Sequence, residues 1–192
     1  MDSHRDKKKR RTSGAGLFAR FLGDREGVTV IEFAALALPF ALLVFAILES
    51  CVSFAAQEVM ANATDNVARQ LRTGQVLTAD ANETKIKQMI CDELQIIVAQ
   101  NCPGLSVDLR MVNTFQQAAQ LGFRIDGSRI VLTNAGIDDN TVVQVGPSMS
   151  KNVLRVFYKW PVMTDFMAKA MSNMSDGTTL HFAMAIWQNE PF

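Results

Sequence analysis

The chain has 192 residues, 19 basic and 19 acidic side chains, two histidines and three cysteines. That length leaves room for one membrane helix and a single small domain with a real core, and so few histidines and cysteines exclude a zinc framework as the organising centre. The zero formal charge hides an asymmetry, because residues 1–26 carry eight basic side chains against four acidic ones and the remainder is net negative.

The leader contains the basic run Lys7, Lys8, Lys9, Arg10 and Arg11. Basic runs of this kind also bind nucleic acid or anionic lipid. Directly before an apolar span they set topology, so no nucleic-acid partner is expected. From Val28 to Ala56 the ionisable side chains besides Cys51 are Glu32 and Glu49, and about 20 apolar residues suffice to cross a roughly 30 Å hydrocarbon layer. Ala55 and Ala56 imitate the small residues of a signal-peptide cut site. The stretch exceeds the about 7 to 15 apolar residues of a secretory signal, however, and is read as a retained transmembrane helix. Lys and Arg accumulate on the cytoplasmic side of a first span. The expected topology is therefore single-pass, with the N-terminus cytoplasmic and the larger domain periplasmic or extracytoplasmic.

At the junction, Gly27 is followed by Val28, Thr29, Val30, Ile31, Glu32 and Phe33, and then by apolar residues to Leu48. A basic leader, a glycine, a glutamate and an aromatic at the head of an apolar helix resemble the processing site of type IV pilin-like proteins. More closely, Gly27 to Pro39 with the terminal Asn189-Glu190-Pro191-Phe192 resembles the TadE/TadG-like family of tight-adherence (Flp) pilus assembly proteins, in particular TadE-like minor pseudopilins. The resemblance is strongest over 25–50 and weaker over 153–192, where Tyr158-x-Trp160-Pro161 also fits the family pattern. It implies cleavage by a membrane prepilin peptidase between Gly27 and Val28, with Glu32 then the fifth residue. It also implies residence in the bacterial inner membrane, and partners among other pilin-like subunits, the inner-membrane assembly platform and the lipid bilayer.

The residue types suit that chemistry. Glycine fits a narrow protease subsite and loosens the helix, and a carboxylate a few residues into lipid is costly unless paired. Two readings of Glu32 stand: the resemblance implies pairing with the new α-amino group of a neighbouring subunit, whereas the residue alone is equally consistent with a carboxylate at the interface. Pro39 falls inside the helix and is expected to bend it. Small residues including Ala34, Ala35, Ala37 and Ala41 allow close helix approach.

Beyond Glu49 the apolar positions Phe54, Val59, Ala63, Val67 and Leu71 keep helical spacing. The spacing predicts one helix to about Arg72, ended by Gly74, with Thr78 or Asp80 capping a second helix to about Gln100. Cys91 and Cys102 lie in the exported part, where a disulfide between them is permitted.

The later periodicity changes to two. A strand is expected over Ser106–Val112, with Val107, Leu109 and Met111 inward and Asp108 and Arg110 outward. A hairpin is expected around Asp126-Gly127-Ser128, an acidic loop over Asn134–Asn140 and a short strand over Val142–Val145. Asn152–Trp160 and Thr178–Trp187 are the clearest strands, the second apolar on both faces as for a central strand. Between them a short helix is expected within Val162–Met174, with Met163, Phe166, Met167, Ala170 and Met171 apolar; Met-rich surfaces can be adaptable contact sites, and core filling is the default reading.

Catalytic signatures are lacking. No Gly-x-Ser-x-Gly elbow, phosphate loop or His-Glu-x-x-His occurs, Asp138, Asp139 and Asn140 lack calcium-loop spacing, and His181 reads as structural. No enzyme activity, cofactor or metal is expected. The predicted fold is α+β: a basic leader (1–27), a transmembrane helix (28–56), a helical stem (57–75), and an extracytoplasmic domain (76–192) with a helix and a mainly antiparallel sheet. The functional expectation is a pseudopilin-like pilus assembly component, and the alternative is an uncleaved, membrane-anchored interaction or adhesion module.

Overall fold

A computed structural model describes residues 28–76 and 81–191. The leader with Gly27, the cap candidates Thr78 and Asp80, and Phe192 lie outside the described residues. The first element, α1 (Val28–Arg72), is one continuous helix of 45 residues that contains Pro39 and carries Arg69 and Arg72 in its last turn. Those cations complement the negative end of the helix dipole. Termination falls at Gly74, whose φ of 71° is a left-handed conformation that glycine adopts without a Cβ clash. The chain divides into two units, residues 1–45 and 46–192, so only the second half of α1 belongs to the larger unit.

That unit is α+β. After α2 (Glu83–Leu94), the elements are β1 (Leu105–Val112), the single turn α3 (Phe115–Ala118), β2 (Leu121–Asp126), β3 (Arg129–Asn134), β4 (Ile137–Asp139), β5 (Lys151–Pro161), α4 (Asp165–Met171) and β6 (Thr178–Gln188). They form two antiparallel three-stranded sheets, ordered β1-β5-β6 and β2-β3-β4. On one face of the first sheet, Leu154, Val156 and Trp160 of β5 join a core with Met60, Val67 and Leu71 of α1 and with Ile86, Ile90 and Leu94 of α2. The opposite face meets the second sheet through Phe157, Leu132 and Met174. There the rings of Phe123, Phe157 and Phe182 lie 4.7 to 5.1 Å apart between centroids, a spacing that favours tilted and edge-on aromatic contact.

Both long edges of the first sheet have local partners. On β6, the Gln57 side chain donates to the Phe182 carbonyl at 2.8 Å and accepts from its N–H at 3.3 Å, standing in for a strand peptide. On β1, the Leu109 N–H donates to Val142 O at 2.7 Å, and Gln144 N–H donates to Leu109 O at 2.8 Å.

Several sequence expectations need correction. The doubly covered central strand is β5, while β6 lies at an edge; a sheet sandwiched between helices and a second sheet buries both faces even of an edge strand. The second helix ends at Leu94, short of Gln100, and is capped by Asn82, whose side chain accepts from Lys85 N–H. Asp108 points away from the helices as alternation predicts, yet it is fully buried, because the second sheet covers that side; Met111, expected inward, is exposed. The acidic loop contains β4, and Val142–Val145 supplies one parallel bridge, Leu109 to Val143, in place of a strand. Short elements of this kind depend on a neighbouring edge and leave little periodicity to read.

Candidate functional site

The first half of α1 is apolar and uncovered. Phe33, Leu36 and Phe40 are 72%, 74% and 68% exposed, far more than an isolated surface hydrophobe would require. Among the described residues, α1 is the one helix long and apolar enough to cross a membrane. Val28 is its first residue, Glu32 and Phe33 lie within its first two turns, and Pro39 is internal. Glu32 and Phe33 are both exposed, and α1 offers Glu32 no basic residue nearer than Arg69.

Exposure gives way to burial at Glu49. Glu49 is 9% exposed, and its carboxylate accepts from the N–H groups of Met163 and Thr164 and from the Thr164 hydroxyl at 2.6 Å. Three donors offset the cost of enclosing the charge. On the next residue, the Ser50 hydroxyl lies 3.7 Å from the Met171 sulfur. The local sequence offers Glu49 no partner, because 115 residues separate it from Thr164. A local trace exists only on the far side: Thr164 followed by Asp165 is a helix start, and the Thr164 side chain accepts from Met167 N–H.

One turn further on, Ser53 and His181 lie 3.1 Å apart, Oγ to Nε2. The imidazole stacks on Trp160 at 5.4 Å with an interplanar angle of 11°. Both residues are buried. Burial pushes the His181 pKa below its ordinary value, since an enclosed imidazolium loses hydration. The unfolded chain therefore binds the proton more readily, and His181 stabilises the fold above about pH 6.5 and loses that contribution as pH falls below it. Unfolding of the wild type in detergent micelles should show a stability loss as pH falls below about 6.5, with a slope of up to about 1.4 kcal/mol per pH unit. In His181→Gln that component should disappear; an unchanged profile would remove the histidine from the account.

At the far end of the domain, Asn189 is 2% exposed. Its amide donates to Gly146 O at 2.8 Å and Pro147 O at 3.0 Å, and its oxygen accepts from Trp187 Nε1 at 2.8 Å and Asn152 Nδ2 at 3.0 Å. The adjacent Glu190 pairs with Arg72 at 3.2 Å, and its N–H donates to Arg72 O at 3.0 Å. The terminal Asn-Glu-Pro segment thus fastens β6 to the end of α1. Cys91 and Cys102 form a disulfide with a Cα–Cα distance of 5.7 Å, tying α2 to the start of β1.

The acidic residues near β4 are engaged by arginines. Asp138 pairs with Arg124 at 2.6 Å, and Asp139 pairs with Arg110, a hydrogen bond that is the chief cause of its lowered pKa. No cluster of three or more His, Cys, Asp or Glu suited to a metal occurs among the described residues.

Val28–Arg72 is one helix whose early apolar residues are exposed and whose later residues Met60, Val67 and Leu71 join the domain core. Residues 27–69 match the family model for TadE-like proteins. This TadE-like segment runs from Gly27 through most of α1, so the resemblance seen at the junction extends to the helical spine. The family is one of pilus assembly components and is not known as enzymatic. The match associates the chain with Tad pilus assembly and with a candidate N-terminal membrane helix. It stops short of the Tyr158–Pro161 and Asn189–Phe192 patterns. No curated protein and no solved structure matches the chain.

Proposed function

We propose that this protein is a non-catalytic, pseudopilin-like component of a tight-adherence pilus assembly system. On this reading residues 1–27 are a cytoplasmic leader removed by a prepilin peptidase between Gly27 and Val28, residues 28–56 carry the bilayer span, residues 57–75 the stem, and residues 76–192 the extracytoplasmic domain. The carrying observation is the switch within one helix from exposed apolar residues before Glu49 to core residues such as Met60, Val67 and Leu71 after it. Such a helix serves lipid at one end and a folded domain at the other. The Cys91–Cys102 disulfide suits an oxidising compartment.

Glu32 then has a defined task. After cleavage it would lie one turn from a new α-amino group, and a lipid-embedded carboxylate with no cation close by on its own helix gains most from a charge on a neighbouring subunit. The partners follow: other pilin-like helices, packed along the alanine-rich first half of α1, and the inner-membrane platform that receives them.

Intact-mass measurement of protein extracted from native membranes tests this reading. The expected mass begins at Val28, and Gly27→Leu should accumulate the full precursor instead. Retention of residues 1–27 in the wild type would overturn processing and leave an uncleaved anchored module. Co-purified pilin-like subunits should be lost in Glu32→Ala; undiminished recovery would remove the pairing role.

A further inference from the structure

The excursion between β5 and β6 does not behave as core. No residue of α4 is buried, although six of the nine residues from Met163 to Met171 are Met, Phe or Ala. Met163 is 74% exposed and Phe166 66% exposed. Their apolar character predicts core filling as the default, and the structure holds both out in the open.

The attachment of α4 explains where they stand. Its start is fixed by Glu49 and its last residue lies against Ser50. A seven-residue helix is about 10 Å long, yet its two ends meet consecutive residues of α1, so α4 sits at a single level of that helix. At the same level Ile47 and Leu48 are 53% and 54% exposed, whereas Ser53, Ala56 and Met60 are buried. The level of α4 is therefore where α1 passes from bare apolar surface into the domain. Phe54, on α1 but turned away from the core, is 72% exposed close by.

We propose that α4 is a lipid-contacting element: Met163 and Phe166, with Phe54, seat in the interfacial layer of the bilayer and set the depth and tilt of the domain on the membrane. The proposal rests on the anchored reading of α1. A phospholipid surface is the occupant because α4 is fastened to Glu49 and Ser50, beside the exposed Ile47, Leu48 and Phe54 in the outer part of the apolar span. In α4 the exposed Phe166 lies among the charged residues Asp165 and Lys169, and apolar side chains on a charged amphipathic segment suit the headgroup–acyl boundary. The Glu49 carboxylate, already satisfied by three donors, lets a charged residue occupy this boundary without an unpaired group.

The test uses the full chain reconstituted in vesicles of phosphatidylethanolamine and phosphatidylglycerol. In a C51S background that keeps the Cys91–Cys102 disulfide, single nitroxide labels are placed at M163C, F166C, L43C in the span, and I137C on β4, and collisions with oxygen and with a water-soluble nickel complex are measured. Labels at 163 and 166 should collide with nickel several-fold less than the label at 137 and retain high oxygen collision, approaching the label at 43. Values at 163 and 166 equal to 137, with 43 in lipid, would overturn the proposal and leave the anchor intact. Low collision with both reagents would mean that a protein neighbour covers the face, and also overturns it. Nickel access at 43 would overturn both the anchor and the α4 contact.

Discussion

Asp108→Ala should lower the unfolding free energy by about 3–5 kcal/mol, the cost of leaving a buried ion without its partner. Arg155 is fully buried, and its Nε and Nη2 donate to Asp108 Oδ2 at 3.0 and 2.8 Å, while Nη1 donates to Gly122 O at 2.7 Å. Asp108 also accepts from Arg110 Nε at 2.9 Å on both oxygens and from Val142 N–H at 2.9 Å. One carboxylate therefore joins β1, β5 and the segment after β4. Removing it strands the Arg155 guanidinium between two sheets with a single carbonyl acceptor. The double variant Asp108→Ala/Arg155→Met should regain most of the loss, because apolar replacement of a whole buried pair is often neutral. Urea unfolding of the full chain in detergent micelles measures both. A single-variant loss below about 1 kcal/mol, the scale of an exposed pair, would refute the buried-ion account.

The second large effect lies at the disulfide. Cys91→Ser/Cys102→Ser should cost about 2–4 kcal/mol, mainly by freeing the short loop that the crosslink closes in the unfolded chain. Within that loop Asn101 and Cys102 have φ of 63° and 44°, a left-handed conformation that non-glycine residues hold at about 1 kcal/mol or more each. Hydrogen bonds from Cys102 N–H to Ala99 O and from Leu105 N–H to Cys102 O, both 3.1 Å, fix the same turn. Once the crosslink is lost, the turn can relax and α2 can detach before the sheets do. Hydrogen exchange should accelerate over Glu83–Leu94 while β5 and β6 keep their protection. Uniform acceleration across both regions would contradict this order of opening.

The elements legible in the sequence were those with strong periodicity or long runs. Nothing from Val28 to Arg72 interrupts a helix except Pro39, and the alternation of Leu154, Val156, Tyr158 and Trp160 marks one face of β5. Alternation shows which residues share a face but not what covers it. Asp108 thus reads as an outward polar residue, although the second sheet seals it in with Arg155. The same limit made β6 appear central. Glu49 with Thr164, and Ser53 with His181, are tertiary pairs separated by 115 and 128 residues, and neither partner alters the local pattern of the other. Met163 and Phe166 were misassigned for the opposite reason: apolar character suggests burial, and only the absence of a facing surface shows that they remain outside. β4 was concealed because Asn134–Asn140 is composed of turn formers, and three residues paired on one side contribute too little pattern to outweigh that composition.

Gln57 and the Val142–Gln144 segment have a consequence for how copies of this chain meet. An open strand margin is a template for adding foreign strands, and crowded subunits with such margins aggregate. Here one margin is plugged by a side-chain amide from the spine and the other by a returning stretch of main chain. Strand addition to the first sheet is thereby hindered at Phe182 on one side and at Leu109 on the other.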